Sequence, residues 1–235
     1  YCGTLKQEAR SRQVVRSAYT PIGKIPAPHA RAWWGDERCW ALDWNAPTDC
    51  RIVAVQLSRN CGRHTVDILN RDAVRSFLRH THEAYLDEFG EAAFGSRIAA
   101  CFMDEPAPGG DFPWTDALPD EFRQRYDGEL LALLPHLVLD IDSSSPGIRH
   151  AYRRTQAAMQ CENFLAEIRA FCRDHRILSV GHLSRTEYLS LSHASLWPGE
   201  LRCSGYLDIP CTDPLGFHVA WPDSCAYHTG LKVVA

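Results

Sequence analysis

The sequence predicts an α/β fold, because helical and strand-like patterns follow one another along the chain. An amphipathic helical pattern over residues 70–90 precedes an unbroken apolar run at residues 98–103, and a long helical pattern that begins near Ser145 precedes a second strand-like run at residues 177–181. Apolar runs without alternation are typical of parallel strands that are covered on both faces. The repeated helix-then-strand order therefore indicates helices packed on a parallel sheet.

The composition is that of an ordinary globular protein. The 235 residues are 45% hydrophobic and 23% charged, the formal net charge is -4, and no dense cluster of Lys and Arg is present. Nucleic acid and anionic membranes are therefore not expected as partners. The sequence also shows no leader peptide and no apolar run of the roughly eighteen residues that a membrane span needs.

The ten cysteines are scattered through the chain and form no Cys-x-x-Cys pair. This spacing favours free thiols over a disulfide framework or a zinc site. Free thiols persist in a reducing compartment, so we expect a cytoplasmic location.

Residues 1–50 are predicted to be an irregular flanking or insertion segment, because prolines interrupt every local pattern there. Two roles fit the tryptophans of this segment: they pin a loop onto the domain, or they form the floor of a sugar site by stacking on C–H faces. The tryptophans are Trp33, Trp34, Trp40 and Trp44. Residues 51–57 are rich in β-branched side chains and are predicted to be a strand. This strand begins a domain that we place over residues 51–235.

The first helix and the strand after it lead to a pair of carboxylates. Asn70 is a helix N-cap candidate and Gly90 lies just past the predicted helix end. The strand over residues 97–106 then ends in Asp104, Glu105 and Pro106, and the proline favours an extended backbone at Glu105. A carboxylate at the carboxyl end of a parallel strand is a catalytic candidate, and a loop cap is the alternative.

The connection to the next strand is long. It passes through a Gly/Pro-rich loop that holds Trp114, a helix that begins near Pro119, and the long helix that opens at Ser145-Pro146. The strand at residues 177–181 follows. This is far longer than the roughly twelve residues of a minimal crossover, so we expect an elaborated connection of the kind that builds substrate specificity.

Two later strands also end in polar side chains. His182 follows the strand at 177–181, with Glu187 beyond it, and Asp208 ends a short apolar stretch with Asp213 beyond it. Three consecutive strand ends would then bring Glu105, His182 and Asp208 to one shared mouth, which predicts a partial (β/α)8 TIM-type barrel with elaborated βα connections. A structural histidine and a loop-capping aspartate are the alternatives.

Several ordered segments resemble the catalytic barrel of bacterial glycosidases similar to glycoside hydrolase family 106, the α-L-rhamnosidases. The segments are residues 66–70, 102–106, 113–115, 121–126, 134–135, 162–164, 181–182 and 208–210. The resemblance implies a (β/α)8 barrel, within a larger multidomain chain, that cleaves a terminal sugar from a plant or microbial glycan. Residues 126–129 depart from the family pattern. The resemblance also associates calcium with the protein, although no acidic loop has a calcium-binding spacing, and no other cofactor is expected.

Glycoside hydrolysis uses one protonated carboxylic acid and a second carboxylate as base or nucleophile. We assign Glu105 as the acid, because an apolar strand bed and the neighbouring Asp104 would both favour its protonated form. Adjacent side chains on a strand point opposite ways, so Asp104 is expected to orient the site or bind a sugar hydroxyl. The predicted substrate-binding residues are Asp104, Trp114, His182, Glu187, Asp208 and Asp213.

Two other classes of function remain open. A metal-dependent hydrolase would use His182, Asp208, Asp213 and His218 as ligands. A non-catalytic carbohydrate-binding relative would keep Trp114 and the groove without needing Glu105. The chain is expected to be a fragment that is inactive by itself, with the second carboxylate beyond Ala235, and the sequence does not constrain the oligomeric state.

Overall fold

The computed structural model describes residues 2–4, 56–58, 66–109, 112–183, 197–198 and 200–211. In chain order the strands and α-helices are β1 (Cys2–Thr4), β2 (Gln56–Ser58), α1 (Arg71–His80), α2 (His82–Phe89), β3 (Ala100–Asp104), β4 (Phe112–Pro113), α3 (Leu118–Tyr126), α4 (Leu130–Val138), α5 (Ser145–Gln160), α6 (Ala166–Asp174), β5 (Leu178–His182), α7 (Glu200–Ser204) and β6 (Ile209–Pro210). No helix in these ranges is long and apolar enough to span a membrane.

The predicted helix over residues 70–90 forms, but as two helices. The side-chain oxygen of Asn70 accepts hydrogen bonds from two N–H groups in the first turn of α1, and α2 ends at Gly90, whose φ is 74°. The break falls at Thr81, which separates α1 from α2 and whose hydroxyl donates to the carbonyl oxygen of Phe77. Such local bonds from a threonine side chain compete with the helical pattern.

The sheet at the centre of the predicted fold is parallel. Its strand order is β3-β5-β6, and β3 pairs with β5 so that Ala100 lies opposite Leu178 and Asp104 lies opposite His182. Helices pack on this sheet, so the α/β class is confirmed. The closure of the sheet into a (β/α)8 barrel stays a prediction, as does the domain boundary near residue 50.

The helices cover one face of the parallel sheet. Met103 is buried in a core with side chains of α1, α6 and the π-helical turn Cys161–Leu165, and Cys101 packs against the same core. On the opposite face, Phe102, Leu178 and Ile209 are exposed among the residues that the structure describes. The expectation that these strands are buried on both faces is therefore wrong for this part of the chain, where burial alternates along β3.

A second core lies in the connection between β3 and β5. Most of its buried side chains come from α3, α4 and α5, among them Leu118, Phe122, Leu130 and Tyr152, and Trp114 joins them from the segment between β4 and α3. The connection is thus elaborated as expected, with four helices between two paired strands. The N-terminal strand β1 pairs antiparallel with β2 and β4 in a separate sheet, so β2, the described part of the strand expected at residues 51–57, does not belong to the parallel sheet.

Candidate functional site

The carboxyl ends of β3 and β5 bring an acid and an imidazole together. Nε2 of His182 lies 3.0 Å from Oδ1 of Asp104. The two residues are register partners in the parallel pair, so the backbone hydrogen bonds of the sheet fix their separation. The side chain of Asp104 is 80% exposed while that of His182 is 6% exposed. The carboxylate of Asp104 therefore faces solvent, and its contact on the protein side is the buried ring of His182.

The buried ring of His182 leaves one nitrogen without a protein partner. In the neutral ring, Nε2 carries the hydrogen that is donated to Asp104, and Nδ1 then needs a donor. Nδ1 is buried and has no hydrogen-bond partner within the described ranges. The ring of Phe102, 5.9 Å away, packs beside it on the same face of the sheet. This face is the one that the described helices leave open.

Gly181 permits the close approach of β5 to β3 at this edge. A Cβ at this position would lie 2.9 Å from both Cβ and the backbone nitrogen of Met103, and closer still to the Met103 carbonyl oxygen. Its φ of 152° is also rarely adopted by residues with side chains. Glycine is therefore required to hold His182 against the end of β3.

Glu105 does not continue the strand, which corrects the expectation of an extended backbone before Pro106. Its φ is 45°, in the left-handed region that residues other than glycine seldom occupy. Its side chain is exposed in the described structure, and the apolar bed expected around it is not found there. The turn redirects the chain directly after Asp104, so both carboxylates lie at the open end of the sheet.

Trp197 supports the backbone next to Glu105, and the sequence analysis did not single it out. Its ring is fully buried, and its Nε1–H donates to the carbonyl oxygen of Pro106 at 2.7 Å. The ring also packs on Phe164, with centroids 6.4 Å apart. This bond anchors the residue that follows Glu105 to the core. No signal in the sequence links residue 197 to residue 106, because the contact joins distant segments.

The sequence predicted Asp208 at the carboxyl edge of the sheet, but the structure places it toward the opposite end. It precedes β6 instead of ending a strand, and its carboxylate accepts hydrogen bonds from the backbone N–H and hydroxyl of Ser179 at 3.1 and 2.9 Å. Arg169 lies 3.0 Å away and Arg173 3.7 Å away, both on α6. Ser179 stands three residues before His182, about 10 Å along the strand. Asp208 therefore does not share the edge with Asp104 and Glu105.

The charge on Asp208 is stabilised locally. Burial alone would raise the pKa of its carboxyl. The Ser179 hydrogen bonds and the Arg169 guanidinium lower this pKa by more than burial raises it, so the net pKa lies below its ordinary value. The ionised carboxylate, held by Ser179, Arg169 and Arg173, links α6 and β6 to β5. We therefore find a structural ion pair where the sequence suggested a substrate contact.

Trp114 is also displaced from its predicted place. It is 4% exposed and lies in the core of the β3–β5 connection with Leu118 and Phe122. Protein side chains cover its ring, so the structure gives it no open face for a sugar. Its predicted sugar contact stays a prediction that this buried position does not support.

The remaining predicted site residues lie outside the described residues. They are Glu187, Asp213, His218 and the tryptophans at 33, 34, 40 and 44. Within the described part, no group of three or more His, Cys, Asp or Glu side chains is arranged to hold a metal ion. The association with calcium stays an expectation from the resemblance.

The arrangement places two carboxylates and a buried imidazole at the carboxyl edge of a parallel sheet, which is where α/β proteins bind ligands. It defines an α/β protein with an acidic site at the strand ends. The chain matches the sequence model of glycoside hydrolase family 106, described as alpha-L-rhamnosidase, over residues 57–188. This match covers more than half of the chain and includes Asp104, Glu105 and His182. The chain belongs to this family.

Comparison with solved structures finds a similar chain in the structure of a rhamnosidase from Novosphingobium sp. PP1Y. The identity is 19% and the TM-score 0.48, over 60% of this chain and 13% of that one. This chain therefore spans a small part of the length of that protein. A comparison with curated protein sequences gave no match.

Proposed function

We propose that the protein is a glycoside hydrolase that removes a terminal α-L-rhamnose-like sugar from a glycan, and that the end of β3 supplies carboxylates to its site. The observation that carries the proposal is the family match, which spans the strand end where Asp104 meets His182 and Glu105 follows directly. A terminal sugar is uncharged and polar, so carboxylate oxygens and a ring nitrogen at an open edge suit its hydroxyl groups.

In this proposal Glu105 is the general acid. Its carboxyl group gives a proton to the glycosidic oxygen as the bond to the sugar breaks, while a second carboxylate acts as base or nucleophile. The left-handed turn at Glu105 and the bond from Trp197 to Pro106 support a fixed position for this side chain. Backbone strain of this kind persists where the surrounding structure holds it in place.

Asp104 has a different proposed task. Its carboxylate is held by His182 Nε2 at 3.0 Å and keeps its other oxygen toward solvent. One fixed donor behind an exposed carboxylate orients it, so Asp104 is suited to accept hydrogen bonds from sugar hydroxyl groups. His182 is then a positioning residue. The second carboxylate of the reaction is not assigned among the described residues.

The experiment measures hydrolysis of aryl α-L-rhamnosides by the complete protein and by its Glu105→Gln variant. We expect Glu105→Gln to lower kcat by at least about a hundredfold while ligand binding persists, since general acid catalysis contributes about 10²–10⁴-fold. Glu83→Gln, at an exposed position on α2, is the matched control and should leave turnover unchanged. Unchanged turnover in Glu105→Gln would show that Glu105 is not the acid. No hydrolysis by the wild type, with sugar still bound, would favour a binding protein.

A further inference from the structure

Two thiols and an imidazole form a cluster on the helix-facing side of the parallel sheet, away from the acidic edge. Cys101 lies on β3, His82 begins α2, and Cys172 lies near the end of α6. Nε2 of His82 is 2.9 Å from Sγ of Cys101, and Cys101 packs against the buried core that contains Cys172. The proposed glycosidase chemistry uses none of these groups.

The orientation of His82 determines which nitrogen faces the sulfur and in which state. The hydroxyl of Thr81 donates its hydrogen to the carbonyl oxygen of Phe77 at 2.7 Å, so its oxygen can only accept from Nδ1 of His82, 2.8 Å away. Nδ1 therefore carries a hydrogen. Nε2 is then the atom that takes the proton of the Cys101 thiol, which produces a thiolate beside an imidazolium.

The ring of His82 is held in this position by two aromatic neighbours. Phe77 and Phe171 meet it edge-on, with ring centroids 5.6 and 5.2 Å from that of His82. Both side chains come from helices that pack on the sheet, so the ring cannot turn away without disturbing that layer. The pair of His82 and Cys101 is therefore built into the fold.

Cys172 supplies a second donor to the same sulfur. Its S–H donates to Cys101, and this bond, together with His82, lowers the pKa of Cys101 to about 5 although burial opposes the shift. The same contact and burial raise the pKa of Cys172, which therefore stays protonated. Cys101 is only partly buried, whereas Cys172 is fully buried. A small reagent can thus reach the thiolate first.

We propose that Cys101 is a site of oxidation by hydrogen peroxide and that Cys172 converts the product into a disulfide between β3 and α6. The Cys101 thiolate attacks one peroxide oxygen, an S–O bond forms as the O–O bond breaks, and the departing hydroxide takes the proton of the His82 imidazolium and leaves as water. The sulfur of Cys172 then attacks the sulfenic sulfur. The S–S bond forms as the S–O bond breaks, and the thiol proton of Cys172 leaves with the oxygen as a second water.

The test treats the native protein with hydrogen peroxide, alkylates the remaining thiols after unfolding, and maps the peptides by mass spectrometry. We expect a linked Cys101–Cys172 peptide. Cys172→Ser keeps a hydrogen-bond donor but cannot form the disulfide, so in this variant dimedone should trap the sulfenic acid on Cys101. Absence of both the linked peptide in the wild type and the dimedone adduct in Cys172→Ser would overturn the proposal.

The reaction rate tests the role of His82. At about pH 6 an iodoacetamide label should modify Cys101 in the native protein about tenfold faster than in the urea-unfolded chain, because the gain in thiolate outweighs the lower nucleophilicity of a low-pKa thiol. His82→Phe keeps an aromatic ring between Phe77 and Phe171 and should abolish this advantage. Equal rates in the native and unfolded wild type, or an unchanged native rate in His82→Phe, would show that the cluster does not activate Cys101.

A buried thiol pair provides the matched control. Sγ of Cys161 donates to Sγ of Cys203 at 2.9 Å, and both of these residues are buried, whereas Cys101 is only partly buried. Cys161→Ser should leave the oxidation rate of Cys101 unchanged. Oxidation of Cys161 and Cys203 as fast as that of Cys101 would mean that proximity of two thiols is sufficient, and the assignment to the Cys101 cluster would be wrong.

Discussion

Asp104 and His182 are joined through both backbone and side chain. They are direct partners in the pairing of β3 with β5, and Nε2 of the histidine lies 3.0 Å from Oδ1 of the aspartate. The histidine side chain is 6% exposed and the aspartate side chain 80% exposed. An exposed carboxylate is thus attached to the rigid part of the fold through one bond. Because the exposed aspartate contributes little to the core, a substitution of Asp104 should change activity more than stability.

Asp104→Asn is expected to lower activity while leaving stability nearly unchanged. The side chain is 80% exposed, and a contact made by an exposed carboxylate contributes only about 0–1 kcal/mol to the free energy of unfolding. We expect kcat/KM on an aryl α-L-rhamnoside to fall at least about tenfold, as measured beside a urea unfolding curve. Asp87→Asn, exposed on α2, is the control. A loss of stability above about 1 kcal/mol would instead indicate a structural role.

His182 is expected to act through Asp104. His182→Phe keeps a ring of similar size but removes the Nε2 donor, so the carboxylate loses its fixed orientation. We predict a fall in kcat larger than any rise in KM, and partial recovery in His182→Gln, which retains an N–H donor. Steady-state kinetics of the three proteins measure this difference. Equal activity of the two variants would argue that only the volume of the side chain matters.

Gly181→Ala is expected to destabilise the sheet edge by at least about 2 kcal/mol, because the new Cβ would collide with the backbone of Met103. Gly147 offers a matched position on α5, where a Cβ would meet nothing within 4 Å. Gly147→Ala should be neutral or stabilise the protein by about 0.5–1 kcal/mol through helix propensity. Chemical denaturation of both variants measures the contrast, and similar values for the two would contradict the close approach of β5 to β3.

The carboxylate of Asp208 should make stability depend on pH in the acid range. Its folded pKa lies below the ordinary value of about 3.9, so its stabilising contribution is complete above that pH and is lost as the pH falls through the folded pKa. Asp208→Asn should cost about 1.5–3 kcal/mol at neutral pH through lost charged hydrogen bonds. The difference from wild type should shrink as the pH falls below about 4. Urea unfolding at several pH values tests this, and a constant difference would contradict it.

Trp197→Phe should loosen the turn that carries Glu105. The variant keeps most of the buried ring but leaves the Pro106 carbonyl oxygen without its donor, at a cost of about 1–3 kcal/mol. We expect kcat to fall more than stability alone explains, because Glu105 is the residue before Pro106. Activity at a temperature where the variant is fully folded measures this effect. Wild-type kcat in the folded variant would show that the anchor is not needed for the reaction.

The local signals in the sequence located most of the described elements. Asn70 caps a helix and Gly90 ends one because a short amide side chain and a residue without Cβ suit those positions whatever the rest of the chain does. The apolar runs before Asp104 and His182 became β3 and β5, paired in parallel. Adjacent parallel strands share an edge, which is why the sequence predicted a carboxylate of this strand end beside His182, but it named Glu105, and the register places Asp104 there instead.

Tertiary structure decided what the neighbours of each side chain are. Asp208 looked like a strand end, but two arginines of α6 and Ser179 hold it at the opposite end of the sheet. Trp114 was predicted to contact a sugar, but it lies in a core with side chains from three helices. Glu105 was expected to be extended, and the chain turns there instead. The sequence by itself determined the elements and the family, since caps and apolar periodicity act over a few residues. Only the fold decided which polar groups are satisfied inside and which face solvent, because those contacts join residues that are distant along the chain.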